Sequence, residues 1–203
     1  MIPLNPDWRS KIQYLDTLLG TLVEWAASRP EADFMTLWDE TIDPEWLPYL
    51  AQAGGATKQE MALAACAVAR LCLHLIPEGE NRPRIAIETA EAWAKGYASE
   101  QIHEVTLAAY AAGRNTFTVA SASAFAATAY AVYAATNAAA AANTVNHFVN
   151  SAAFAANSVA YALQAGIGSQ IICATLRKHL PFERPPRPKG LTIWQRLAEG
   201  DDE

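Results

Sequence analysis

From Asn115 to Leu176 the chain runs 62 residues without a single Asp, Glu, Lys or Arg, and 22 of those residues are alanine. Alanine costs least of all residues in a helix and carries no side chain to hold helix axes apart. With no proline inside it, the stretch predicts closely packed helices. It therefore points to an all-α fold: a single-domain multi-helix bundle over residues 1–180, with long alanine-rich central helices, followed by a proline-rich basic connector and a short amphipathic helix over 181–203. Two long helices are expected between Thr116 and Leu180, meeting around Ala142 to Val145. Their large residues are sparse. Phe117, Phe125 and Tyr133 fall at eight-residue steps, and Val145, Phe154 and Leu163 at nine, which describes a slowly drifting stripe rather than a strict heptad.

An uncharged stretch must also be weighed as a membrane span. Each Leu, Ile, Phe or Val contributes only about −0.3 to −0.6 kcal/mol to insertion, and few of them occur here. Ser121, Ser123, Thr128, Asn137, Asn143, Asn146, His147, Asn150, Asn157 and Gln164 would meanwhile be poorly satisfied in lipid. Burial inside a bundle in water is the reading that fits, with no membrane partner.

Net charge is −6 and unevenly spread: residues 1–100 hold 15 acids and 8 bases. Binding to nucleic acid or an anionic membrane needs a basic surface, so no direct nucleic-acid partner is expected. Cys66, Cys72 and Cys173 are odd in number, have apolar neighbours and form no C-x-x-C pair, which suits buried free thiols. Asn5, Pro6 and Asp7 stand where a secretory signal would need basic and then apolar residues. Both features point to the cytoplasm.

The first hundred residues read as a series of punctuated helices. Asn5, Pro6 and Asp7 start one that runs to about Ser28, with Ile12, Leu15, Leu18, Leu19, Leu22 and Trp25 along one face. A short helix follows from Pro30 to Trp38, and another from Asp43 through Pro44 toward Gly54 and Gly55. Thr57 and Glu60 form a capping box opening a helix to about Ile76, stopped by Pro77. Asn81 and Pro83 start the next, which reaches Lys95, with Gly96 at the left-handed cap position. On it Arg84 with Glu88, and Glu91 with Lys95, are spaced as ion pairs, while Ile85, Ala86, Ala90 and Trp93 face inward.

No set of residues carries chemistry. Glu100 and His103 have the i,i+3 spacing of carboxylate-bridged metal bundles, but the second copy such a site requires is missing. His74, His103, His147 and His179 are scattered without zinc spacing. Gly166-Ile167-Gly168-Ser169-Gln170 lacks the second glycine of a nucleophile elbow, and no phosphate loop occurs. No enzyme, cofactor or metal is expected. The RPPRP run at Arg184 to Pro188 suits a stiff spacer.

Residues 30–57 stand apart. Glu31, Asp33, Asp39, Glu40, Asp43 and Glu45 are six acids without one base, interleaved with Phe34, Trp38, Trp46 and Tyr49. Aromatic anchors beside uncompensated acids suit recognition of a basic protein surface. Glu31, Asp33, Trp38, Asp39, Glu40, Asp43, Glu45 and Trp46 are the candidate partner-binding residues. The competing reading makes Trp38 and Trp46 core and the acids solvated helix starts.

The run ALAACAVARLCLHLIPEGENRPRIAIETAEAWAKG, ending at Gly96, carries Arg82, Pro83, Arg84, Ala86, Ile87, Glu88, Ala90, Trp93 and Gly96, and lies downstream of Asp43-Pro44-Glu45-Trp46-Leu47. It resembles the helical, alanine-rich immunity proteins of bacterial polymorphic toxin systems. That resemblance implies an all-helical protein that binds and neutralises a toxin without catalysis of its own. Two alternatives remain open: a phage-encoded inhibitor of a nucleic-acid-targeting defence complex, its acids standing in for phosphates, and a structural module that forms homo-oligomers through its small-residue helix faces.

Overall fold

The computed structural model describes residues 1–13, 20–96, 123, 126 and 146–183. Its described residues form eight α-helices and no strand. They are α1 (Trp8–Gln13), α2 (Gly20–Ala27), α3 (Phe34–Glu40), α4 (Leu47–Gly54), α5 (Lys58–Leu71), α6 (Arg82–Ala94), α7 (Asn146–Gln164) and α8 (Ser169–His179), with a 3-10 turn at Leu73–Leu75.

α5 is the central element, packed against α6, α7 and α8. Its start is the capping box read from sequence. The Thr57 backbone N–H donates to Glu60 Oε2 at 2.7 Å, and the Glu60 N–H to Thr57 Oγ1 at 3.2 Å. Met61, Ala62, Ala64, Ala65, Cys66, Val68 and Ala69 are all buried, so this helix is covered nearly all round. The expected run to Ile76 is cut short. The chain tightens into the 3-10 turn after Cys72, and Ile76 is extended (ψ 134°) because Pro77 clashes with a helical residue before it.

The small-residue face of α7 lies against this helix. Ala152, Ala155, Ala156, Val159 and Ala162 are buried, while Phe154 and Leu163 sit half-buried along the flanks. Alanine thus forms the seam, and the large residues that looked like the stripe merely border it. The expected single helix to Leu180 is broken. Gly166 adopts a positive φ of 93°, its N–H bonds to Leu163 O at 2.9 Å, and the Ile167 N–H reaches Ala162 O at 3.0 Å. This pair of bonds ends α7, and α8 begins at once from Gly168. The other half of the expected helix pair, including Phe117, Phe125, Tyr133 and the meeting point near Ala142, lies outside the described residues, as do Glu100 and His103.

α6 follows the expected punctuation, with Pro83 in its first turn and Gly96 at φ 90° beyond its end. Its start is held differently: Glu80 Oε1, rather than the Asn81 side chain, accepts the Arg82 N–H at 2.9 Å. Ile87, not Ile85, enters the core; Ile85 is 50% exposed. Two positions apart on a helix are about 200° apart, so both cannot face inward. Glu91 pairs with Arg70 of α5, at 2.7 and 2.9 Å, in place of an ion pair with Lys95.

At the other end, α4 is buried along its whole length. It begins at Leu47 rather than Pro44, after a turn closed by the Trp46 N–H on Asp43 O. Similarly, α3 begins at Phe34 rather than Pro30, because Asp33 is the residue whose carboxylate accepts the Thr36 N–H, at 2.7 Å. The first helix is described as α1 and α2, and Leu15, Leu18 and Leu19 lie between them outside the described residues. Asn5 bonds the Asp7 N–H with its Oδ1 and reaches Ala53 O at the end of α4 with its Nδ2.

The first residues meet the segment that follows α8. Ile2 and Phe182 form an isolated parallel bridge, with the Ile2 N–H on Pro181 O at 2.8 Å and the Glu183 N–H on Ile2 O at 2.9 Å. Phe182 is 5% exposed and packs edge-on against Phe34 and Trp38, with centroids 4.8 and 5.1 Å apart. The first residues assigned to the connector are therefore part of the packed bundle, and residues 184–203 lie outside the described region. No described helix is long and apolar enough to cross a membrane.

Candidate functional site

The six acids of residues 31–45 lie on α3 and its flanking turns. Glu31 and Asp33 precede the helix, Asp39 and Glu40 end it, and Asp43 and Glu45 occupy the turn into α4. Asp43 is half-buried and the other five are exposed. Two of them have local structural duties, Asp33 as the cap of α3 and Asp43 accepting the Glu45 N–H at 3.0 Å. Charge is crowded at the second turn. The Glu45 carboxyl titrates above the usual range, through partial burial first and then the Asp43 charge, and the Tyr49 phenol is likewise raised by burial and by Glu45.

The tryptophans part ways. Trp38 is 2% exposed, stacked on Phe34 (centroids 6.1 Å, planes 13° apart) and met edge-on by Phe182. It is a core residue and offers no face to a partner, because the inward side of α3 is its only apolar side. Trp46 is half-buried at the surface and pairs with Trp25, with centroids 5.5 Å apart.

The sequence shows no base between residues 30 and 57, but folding brings three arginines to this region. Arg29 pairs with Glu40 at 3.5 Å; both side chains are substantially exposed, so the pair contributes only about 0 to 1 kcal/mol. Arg9 donates to the carbonyls of Arg29 (3.2 Å) and Pro30 (3.0 Å) and to that of Ala32, just before α3. Arg177 of α8 donates to the carbonyls of Trp38 (2.8 Å), Asp39 (3.0 Å) and Thr41 (2.6 Å), at the C-terminal end of α3. Arg9 and Arg177 are thus directed at backbone oxygens rather than at the acids, and the carboxylates of Glu31, Asp33 and Glu45 form no ion pair within 4 Å among the described residues.

Ile42 is the residue that sequence reasoning passed over. It is 86% exposed, the most exposed large apolar residue among those described, and in sequence it stands between Asp39, Glu40, Asp43 and Glu45. Its carbonyl is taken by Cys173 Sγ at 3.7 Å. A single isoleucine inside a run of acids was the available signal. Nothing in sequence marks Arg9 or Arg177, whose acceptors are backbone atoms far along the chain.

Elsewhere the described residues hold no group of three or more His, Cys, Asp or Glu side chains placed to bind a metal. His74 is exposed and its Nδ1 lies 2.8 Å from Leu71 O, and the side chain of His147 is outside the described residues. His179 titrates below its usual value, through burial and then Lys178. All three cysteines are free and buried. The chain matches no protein-family model, no curated protein and no solved structure.

Proposed function

We propose that this chain is a non-catalytic binding protein that neutralises a basic protein partner by stoichiometric contact, in the manner of an immunity protein with its toxin. The observation that carries this reading is the loop of residues 39–45: an exposed Ile42 flanked in sequence by acids, on a backbone fixed by side chains from a distant helix. An apolar anchor enters a pocket, the surrounding acids steer and orient a basic surface, and a backbone ordered in advance loses little freedom on binding. Trp46 and Trp25 extend the contact, whereas Trp38 serves only as support. The anchor at the centre favours a protein groove over mimicry of a phosphate backbone, which would present charge alone. The small-residue face of α7, which a self-associating module would use, is already covered by α5.

The test titrates a protein captured with this chain from its native host against the purified chain by calorimetry, with one-to-one binding expected. Replacing Asp39, Glu40, Asp43 and Glu45 together by Asn and Gln should weaken binding by at least tenfold, mostly through a slower association rate, with helicity unchanged. Ile42→Ser should weaken it through faster dissociation. Unaltered affinity in both variants would reject this surface.

A further inference from the structure

We propose that Arg177 is a positioning residue that preforms the acidic loop of residues 39–45, so that the docking of α8 decides whether this surface exists. The inference rests on the binding role proposed for that loop. The last carbonyls of a helix have no partner within it and must find one elsewhere. At the end of α3, Leu37 O is taken by the Thr41 N–H (3.1 Å) and by Thr41 Oγ1 (2.7 Å). The next acceptors are taken from outside. Arg177 Nη2 bonds Trp38 O, Asp39 O and Thr41 O, Arg177 Nε adds a second bond to Trp38 O at 3.2 Å, and Cys173 Sγ meets Ile42 O.

Cys173 and Arg177 are four residues apart and share one face of α8, so a single helical face reads the loop backbone over residues 38–42. Within the loop only Thr41 and Pro44 are buried; Asp39, Glu40, Ile42 and Glu45 are exposed, and exposed side chains add little to fix φ and ψ against the entropy they lose. A lysine ammonium, a strongly hydrated point charge on a flexible stem, would hold these carbonyls less firmly than the guanidinium, which adds the Nε bond to Trp38 O. At the opposite end of α3, Arg9 holds the carbonyls of Arg29, Pro30 and Ala32 in the same fashion, and this provides an internal control.

Amide hydrogen exchange on the isolated full chain tests the proposal without any partner. The reporting amides are Thr41, bonded back to Leu37 O, and Glu45 and Trp46, both bonded to Asp43. In Arg177→Met they should exchange faster by about tenfold or more, the loss expected for charged hydrogen bonds, while the amides of α5 keep their protection. Arg177→Lys should fall between. Arg9→Met should release the Ala32 amide and leave the loop unchanged. Unchanged loop amides in Arg177→Met would overturn the proposal. So would equal acceleration throughout α5 and the loop, since Arg177 would then serve only general stability. Should Arg177→Met fail to fold, Arg177→Lys is judged by the same two outcomes. A loop that loosens as expected, in a chain whose acid-neutralised variant binds normally, would leave the positioning role standing and reject the binding surface instead.

Discussion

Gly54 is the most tightly enclosed of the described glycines, and replacing it by alanine tests the account of the aromatic core. A Cβ built there would lie 2.4 Å from Phe34 Cζ and 2.8 Å from both Phe34 Cε2 and Phe182 Cε1. Carbon atoms rest at about 3.5 to 4.0 Å, so a ring must shift by about an ångström. Neither ring has room. Phe34 is 1% exposed and hemmed in by Trp8 at 5.5 Å, Trp38 at 6.1 Å and Phe182 at 4.8 Å between centroids. Overpacking of this kind costs about 1 to 3 kcal/mol, and the enclosure places it near the upper end. Alanine in place of glycine inside a helix returns about 1 kcal/mol, so the net loss should be about 2 kcal/mol. Gly20, where a Cβ meets nothing within 4 Å, is the control, and Gly20→Ala should be neutral or stabilising. Urea unfolding followed by circular dichroism would show a lower midpoint for Gly54→Ala at unchanged slope. A Gly54→Ala protein as stable as the unaltered chain would refute the packing described for Phe34 and Phe182.

Phe182→Ala should cost about 3 to 5 kcal/mol in the same assay, because it empties a buried aromatic site; a change under about 1 kcal/mol would return Phe182 to the connector. Glu91 titrates below the usual carboxylate range, chiefly through its hydrogen bonds to Arg70. A lowered folded value means its contribution is fully present above the ordinary carboxylate range and disappears as pH falls through the depressed value. Glu91→Gln should therefore destabilise by about 1 kcal/mol at pH 7, given the partly exposed arginine, and by nothing at pH 2, as read from urea midpoints at the two pH values. Burial pushes the Cys72 thiol up to about 11 and the Cys66 thiol higher still. In a native protein at pH 8, all three thiols should react with a disulfide reagent far more slowly than in urea; rapid native labelling would contradict their burial.

Much of the helical punctuation was legible because it is local. The capping box at Thr57 and Glu60, Pro83 at the start of α6 and the left-handed Gly96 all depend on residues within one turn. The helix boundaries that moved did so where the chain tightened early, as in the 3-10 turn after α5, or through a competing cap, as when Asp33 displaced Pro30. The acid-rich segment was likewise visible as composition. What it presents was not: Trp38 turned inward, Trp46 stayed at the rim, and Ile42 became the exposed apolar group.

Alanine's low helical cost and small volume made an all-α bundle a consequence of the sequence itself, since 62 uncharged residues so composed can satisfy their backbone and still pack closely. Sequence also placed the acids on short elements. Only the tertiary structure decided that Arg9 and Arg177 would hold the two ends of α3, and that Phe182 would close the core against Ile2. Such contacts join a side chain to backbone atoms or rings distant along the chain, 20 residues from Arg9 to Arg29 and 139 from Arg177 to Trp38, and no spacing rule along a chain encodes a distance that exists only after it folds.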